Sequence, residues 1–459
     1  MAFGPGSGAL TDRPVSGKAP WAYFFPFIAT GGLYTTVGRS RNARTKGQRH
    51  DEATAANASI RKGRAGMKRI GQKPVRRGDQ RTGGNPHLMG ENHPAELRII
   101  ALESCRDLGA KVDRHLQRIR AADGCGRGSF LVRASSTRFA NGEGKITLHE
   151  SVRGKDIYIL SDIGNYSCTY EMFGQTTRVG PDEHFQDIKR AISAIAGNAW
   201  RITVVMPLLY ASRQHKRKGR ESLDCAIALQ ELERMGVSGV ITFDAHDPRV
   251  QNAIPLTGFE NLNATYEIIE KLVHLGVGLD SSEMVVISPD TGAMDRAVYY
   301  GDVLGLDVGL FYKQRSYETS GGKNPIVQHH YIGPDLAGRG VLVVDDMIAS
   351  GDSVLSLARE LKRRGATDIY VCVTFALFTE GVSHVQKAFE AGLIKSILAT
   401  NLTYIPPTLR ECEWFEEVDM SGTLASVVDR LNRAESLSSM FDATERIHGL
   451  LKDRRAVPN

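Results

Sequence analysis

The run Val341 to Ser353, Val-Leu-Val-Val-Asp-Asp-Met-Ile-Ala-Ser-Gly-Asp-Ser, constrains the fold more than any other stretch of the chain. Four successive apolar β-formers, Val341 to Val344, suit a strand buried on both faces, as in a parallel sheet covered by helices. The strand is expected to end at two carboxylates, Asp345 and Asp346. A short loop, Ala349-Ser350-Gly351-Asp352-Ser353, leads into an amphipathic helix beginning at Val354. Small residues let backbone N–H groups approach a phosphate, and a helix start adds its positive dipole end. Two acids at the carboxyl end of a strand suit ribose hydroxyls or a hydrated Mg²⁺. An ordinary polar corner is the plain alternative; carboxylates and hydroxyls converging on one loop argue against it.

The same rhythm extends to both sides. Strands are expected at Leu97 to Leu102, Ile157 to Leu160, Arg201 to Pro207 and Gly239 to Phe243, then at Met284 to Ile287, Asp307 to Tyr312, Ile369 to Ala376, Ile397 to Thr400 and Phe415 to Val418. Helices fill most gaps: Ala110 to Ala122, His184 to Ala196, Ser222 to Met235, Tyr266 to Leu275, Met294 to Leu304, Val382 to Ala391, and a last one over Leu424 to Leu451. Gly164 to Pro181 reads as a long loop, and 316–330 as a polar, glycine-containing lid. This alternation predicts an α/β fold of two tandem units, each a mainly parallel sheet flanked by helices. The units divide near residue 262.

Charge separates the N-terminal segment from the rest. Residues 1–88 hold 16 Lys+Arg against 4 Asp+Glu, so the remaining 42 and 48 give a net −6 within an overall +6. The folded part offers no electrostatic case for nucleic acid. Residues 1–92 read as a disordered basic extension, with translation starting near Met89 preferred over a transit peptide. Six scattered cysteines without metal-type spacing suggest free thiols in a reducing, cytoplasmic setting. No apolar run reaches membrane-spanning length.

The polar clusters fall at expected strand ends, where open parallel sheets bind ligands. His246 lies between Asp244 and Asp247 after one strand, and Asp290 follows another. A neutral imidazole beside a carboxylate and phosphate oxygens can take a hard cation. Lys313 and Arg315, two apart, would share one face of an extended strand and meet charge developing on a transferred phosphoryl group. Arg213 to Arg220 is a basic run without interleaved aromatics, which disfavours single-stranded nucleic acid. There is no Walker A motif.

In order, the motifs are Phe139-Ala140-Asn141-Gly142-Glu143, Ser212-Arg213-Gln214-His215-Lys216, Asp244-Ala245-His246-Asp247, Ser288-Pro289-Asp290-Thr291-Gly292, Lys313-Gln314-Arg315 and the run ending at Ser353. Over about residues 97 to 450 this order resembles the ribose-phosphate diphosphokinase (phosphoribosyl-pyrophosphate synthetase) family, with its type I phosphoribosyltransferase-like fold. The resemblance implies an enzyme that transfers the diphosphoryl group of ATP to the 1-hydroxyl of ribose 5-phosphate, releasing AMP. It further implies Phe139, Asn141, Gly142 and Glu143 at the adenine, reaching from a neighbouring subunit, with Arg213 and Gln214 completing the ATP site. His246 and Asp290 would bind Mg²⁺. Asp345, Asp346 and Ala349, Ser350, Gly351, Asp352 and Ser353 would hold ribose 5-phosphate, and Lys313 and Arg315 would act on the transition state. A homo-oligomer, a hexamer of dimers, is implied as well. Asn141 and His215 replace common aspartates, and Ala349 stands where a third acid is usual. The competing readings are a catalytically silent synthetase-like regulatory subunit and a phosphoribosyltransferase that consumes the product.

Overall fold

A computed structural model describes residues 95–124, 128–315 and 326–456; side chains at 313–315, 326–329 and 454–456 lie outside that description, as does the expected basic extension. The first sheet takes its five parallel strands in chain order: Leu97–Ala101, Asp156–Leu160, Arg201–Val205, Gly239–Phe243 and Gly258–Leu262. The last was not foreseen, and the expected division near residue 262 falls at its end. The second sheet has seven strands, in the order Ile326–Ile332, Asp307–Arg315, Met284–Ser288, Gly340–Ile348, Ile369–Ala376, Ser396–Thr400 and Phe415–Val418. Only the edge strand Ile326–Ile332 runs antiparallel. Part of the expected lid is therefore this strand, and 316–325 lie outside the described residues.

Strand alternation sorts the side chains into three cores. Leu97, Ile99, Tyr158, Leu160, Ile241 and Phe243 face a central core, which also receives Val286, Leu342, Val344 and Leu398 from the second sheet. Ile100, Ile159, Ile202 and Val204 face an outer layer beneath helices Pro181–Ile195 and Asp224–Arg234. Val285, Val343, Val371 and Ala399 face the opposite outer layer, beneath helix Asp352–Arg363. Such double burial is what the β-branched runs require, since neither strand face meets water.

The central core is completed by helices from both halves. Helix Arg106–Ala122 contributes Val112 and Leu116, spaced to share one face, and helix Ser421–Asn432 contributes Leu424, Val427 and Val428. Leu116 is fully buried, so Leu116→Ala would cost about 2–5 kcal/mol through lost transfer energy and the cavity left behind. Asp156, also fully buried, accepts from Arg201 Nε at 2.8 Å and Asn432 Nδ2 at 2.9 Å, tying helix Ser421–Asn432 to the first sheet.

Three expectations change. The strand beginning at Gly340 does not stop at its carboxylates; pairing continues through Asp345 with Val373 to Ile348 with Ala376. The expected loop Gly164 to Pro181 contains a hairpin, Thr169–Met172 with Gln175–Arg178. The long last helix is broken into Ser421–Asn432, Ser438–Phe441 and Thr444–Ala456. Ala434 takes a left-handed φ of 57°, which ends the first piece, and the Asp442 carboxylate accepts from Thr444 N at 3.0 Å to start the last.

Candidate functional site

Beyond the carboxyl ends of the second sheet lies a cavity of about 400 Å³. Its wall includes Arg213, His246, Asp290, Arg296, Asp345 and Asp346, then Ala349, Ser350, Gly351 and Ser353. Segments far apart in sequence thus meet at one place. Of the expected site residues, Gln214 and Asp352 are not in this wall. Phe139 sits elsewhere, half exposed at the tip of the hairpin Ala134–Arg138 with Gly144–Leu148, and Asn141, Gly142 and Glu143 form the turn of that hairpin. Lys313 and Arg315 belong to strand Asp307–Arg315, their backbones paired with His329 and Ile326; their side chains lie outside the described residues.

One end of the cavity is the loop Ala349 to Gly351 and the helix start that follows it. Gly351 holds φ at +101° and precedes helix Asp352–Arg363, whose start has no side-chain cap. That conformation favours glycine, and a Cβ there would stand 2.8 Å from His384 Nε2. The His384 ring nitrogen in turn lies 2.8 Å from Ser350 O, fixing the loop. The helix dipole and the N–H groups of the first turn beyond Asp352, whose own N–H reaches Ser350 Oγ at 3.4 Å, suit an anion.

The polar end is an arrangement of acids around one cation. Arg296, in the first turn of helix Met294–Leu304, lies 3.3 Å from Asp244 and 4.0 Å from Asp345. Burial pushes the Asp345 carboxyl well above its usual range, and the neighbouring Asp346 charge adds to this against Arg296. Burial also opposes ionisation of Asp346, but the hydrogen bond with His246 and the charge of Arg296 outweigh it and hold Asp346 low. His246 Nδ1 is 2.8 Å from Asp346 Oδ2, which raises the imidazole against its burial. An ionised carboxylate only accepts, so Nδ1 carries the proton and Nε2 keeps a lone pair. His215 packs on His246 with ring centroids 5.3 Å apart and reaches Asp247 at 3.4 Å. Arg296 was missed from the sequence. Its only signal is its position six residues after Asp290, within the first turn of the following helix.

Asp290 is preorganised too: its Oδ1 accepts from Gly292 N at 2.9 Å and Ala293 N at 3.3 Å. Among the described residues no three His, Cys, Asp or Glu side chains are grouped so that they could hold a metal ion. Mg²⁺ takes oxygen ligands, one or two carboxylates together with waters and substrate phosphates, and Asp290 in this wall offers such a carboxylate.

Mainly parallel sheets flanked by helices, with a glycine-containing loop leading from a strand's carboxyl end into a helix, place this molecule among the phosphoribosyltransferase-like proteins. The match is supported by a solved structure, phosphoribosylpyrophosphate synthetase from Mycobacterium smegmatis, at TM-score 0.59 and 20% identity, covering 73% of this chain and 98% of that one. Residues 97–236 match the N-terminal domain of ribose phosphate pyrophosphokinase, and residues 322–442 match the phosphoribosyl synthetase-associated domain. Ribose-phosphate pyrophosphokinase of Staphylococcus haemolyticus is 27% identical over 357 residues, 77% of this chain and all of that protein. Ribose-phosphate pyrophosphokinase 2 of Schizosaccharomyces pombe is 25% identical over 347 residues, 75% of this chain and 97% of that protein. The chain belongs to the ribose-phosphate pyrophosphokinase family.

Proposed function

We propose that the chain joins ATP and ribose 5-phosphate to give phosphoribosyl pyrophosphate and AMP, in the cavity at the end of the second sheet. The observation that carries this is the meeting of Arg213, His246, Asp290, the Asp345–Asp346 pair and the loop Ala349 to Ser353 in one wall. In this reading the N–H groups of the loop and the start of helix Asp352–Arg363 hold the 5-phosphate. Asp345 and Asp346 receive the ribose hydroxyls and orient the 1-hydroxyl toward ATP. The bond from that oxygen to the β-phosphorus forms as the bond from the β-phosphorus to the α-phosphate oxygen breaks, and AMP leaves. Burial and the Asp346 charge lift the Asp345 carboxyl to about 7, and its ionised form can accept the hydroxyl proton.

His246 Nε2 and Asp290 would hold Mg²⁺, which supplies charge neutralisation on the phosphate oxygens. Lys313 and Arg315 match the family motif and would stabilise the transferred group; a strand end places two alternate residues on one face. Phe139, Asn141, Gly142 and Glu143 lie away from the cavity wall, which supports adenine contacts supplied by a second copy of the chain. The two halves, dividing near residue 262, then act as an ATP side and a ribose 5-phosphate side. Among the described residues no helix is long and apolar enough to cross a membrane. Five cysteines there are free, which supports a reducing, cytoplasmic setting.

The test is to incubate the purified chain with ATP, Mg²⁺ and ribose 5-phosphate. AMP and phosphoribosyl pyrophosphate should appear in equal amounts, and Lys313→Ala should abolish both. A folded, ATP-binding chain that yields no AMP would instead be a silent subunit.

A further inference from the structure

We infer that the hairpin Thr169–Met172 with Gln175–Arg178 sets the position of the turn Phe139 to Glu143, with Tyr170 as a positioning residue for the adenine of ATP. The role rests on the proposed function in giving that turn the adenine. Tyr170 is outside the wall of the catalytic cavity, and it acts through the turn.

The turn closes on its own backbone. Gly142 N donates to Phe139 O and Phe139 N to Glu143 O, each at 2.8 Å, and Asn141 Oδ1 accepts from Glu143 N at 3.2 Å. These bonds fix its shape but not its direction. A two-stranded hairpin alone in water is marginally stable, so the aim of its tip depends on what lies beside it.

Two tethers reach the turn from one helix. Helix Pro181–Ile195 buries Ile188, Ala191, Ile192 and Ile195 in the outer layer of the first sheet, which makes it a firm base. From it, Asp187 accepts from the Arg138 guanidinium at 2.6 Å, one residue before Phe139. Glu183 accepts from Gly180 N at 2.7 Å through one oxygen and from Tyr170 Oη at 3.2 Å through the other. The Tyr170 ring then stands against the turn itself. A Cβ built on Gly142 would lie 3.4 Å from the ring Cε2 and from Oη, and 3.7 Å from Met172 Sδ. Gly142 takes φ +88°, a conformation that favours glycine, so no side chain separates ring from turn. The Arg138 guanidinium meets the same ring at 5.8 Å from its centroid.

The hairpin strands bury little else. Thr169, Glu171, Met172, Gln175, Thr176 and Arg178 are exposed, and Tyr170 belongs to none of the three cores. Removing the ring therefore withdraws a support from the turn and takes almost nothing from the packed interior. A purine is recognised by the donors and acceptors on its edge, so an aimed turn discriminates between purines and a loose one does not.

Tyr170→Ala should raise KM for ATP about tenfold while kcat and KM for ribose 5-phosphate stay within about twofold. Its preference for ATP over GTP should fall by a similar factor. Tyr170→Phe, which keeps the ring and loses the bond to Glu183, should recover most of the affinity. Calorimetric titration of the full chain with the α,β-methylene analogue of ATP, in Mg²⁺, reads the same change as a Kd without turnover. An unchanged KM and Kd in folded Tyr170→Ala would overturn the role. So would a fall in kcat matched by a rise in KM for ribose 5-phosphate, or a Tyr170→Phe as weak as Tyr170→Ala. A wild-type chain that binds the analogue but yields no AMP would remove the proposed reaction, and the ratio of Kd values would still decide for or against Tyr170. A folded wild type that does not bind the analogue would overturn both.

Discussion

His246 and Asp346 are 100 residues apart in the chain, yet imidazole Nδ1 and carboxylate Oδ2 lie 2.8 Å apart. The contact joins a loop of the first sheet to a strand of the second and leaves Nε2 as the ring nitrogen not engaged by Asp346. Asp346→Asn would leave the amide free to present either edge, losing the fixed tautomer. The Mg²⁺ concentration for half-maximal activity is expected to rise about 10–100-fold, the usual cost of losing such a supporting carboxylate. A metal titration of activity, with circular dichroism to verify folding, checks this; an unchanged Mg²⁺ requirement would remove His246 from the metal site.

Arg296 is the cation common to Asp244, Asp345 and Asp346. Arg296→Leu leaves buried carboxylates without a counter-charge, and stability should fall by about 3 kcal/mol. Urea unfolding measures it. A loss below about 1 kcal/mol would mean that the acids find protons or water instead.

Gly351→Ala tests the phosphate loop. The left-handed backbone and the nearby His384 ring both oppose a Cβ, at about 1–2 kcal/mol. Because the loop precedes the helix start, the strain should appear as a KM for ribose 5-phosphate raised roughly tenfold, with KM for ATP little changed. Equal changes in both constants would argue against a local role.

Asp162 gives stability a pH dependence far from the catalytic cavity. Burial lifts its carboxyl from 3.8 to about 7, against hydrogen bonds from Tyr404, Gly164 and Thr403. The folded form then holds a proton that the unfolded form releases between pH 3.8 and about 7. Its contribution is complete below pH 3.8 and is lost as pH rises to about 7. Asp162→Asn should remove a slope of up to about 1.4 kcal/mol per pH unit across that window, read from urea midpoints. Parallel pH profiles for the two proteins would refute the assignment.

The strands of both sheets were legible because runs such as Ile157 to Leu160 and Met284 to Ile287 have no other stable place than a doubly covered sheet. Strand Gly258–Leu262 escaped because Glu260 and Asn261 make it polar, as an edge strand can afford to be. The hairpin after Gly164 escaped because its turn is Phe173-Gly174, at φ 55° and 68°. Such primed turns announce themselves as Asn-Gly or Asp-Gly, and phenylalanine there gives no signal. The strand carrying Asp345 and Asp346 ran longer than its apolar residues suggested, since Arg296 and His246 answer the charges that would otherwise end it. At the site, motif spacing named most of one wall. It could not reveal Arg296, whose importance comes only from the sheet that brings Asp244 beside it.

Helix Ser421–Asn432 closes the face of helix Arg106–Ala122, and Asn432 completes the partners of buried Asp156. During synthesis, that face therefore waits for roughly 300 further residues, or tens of seconds at ordinary elongation rates. The first sheet leaves the ribosome unfinished, with Val112 and Leu116 uncovered, and its final stability is granted only near the end of translation. A premature stop ahead of residue 421 would thus damage the half of the molecule made first.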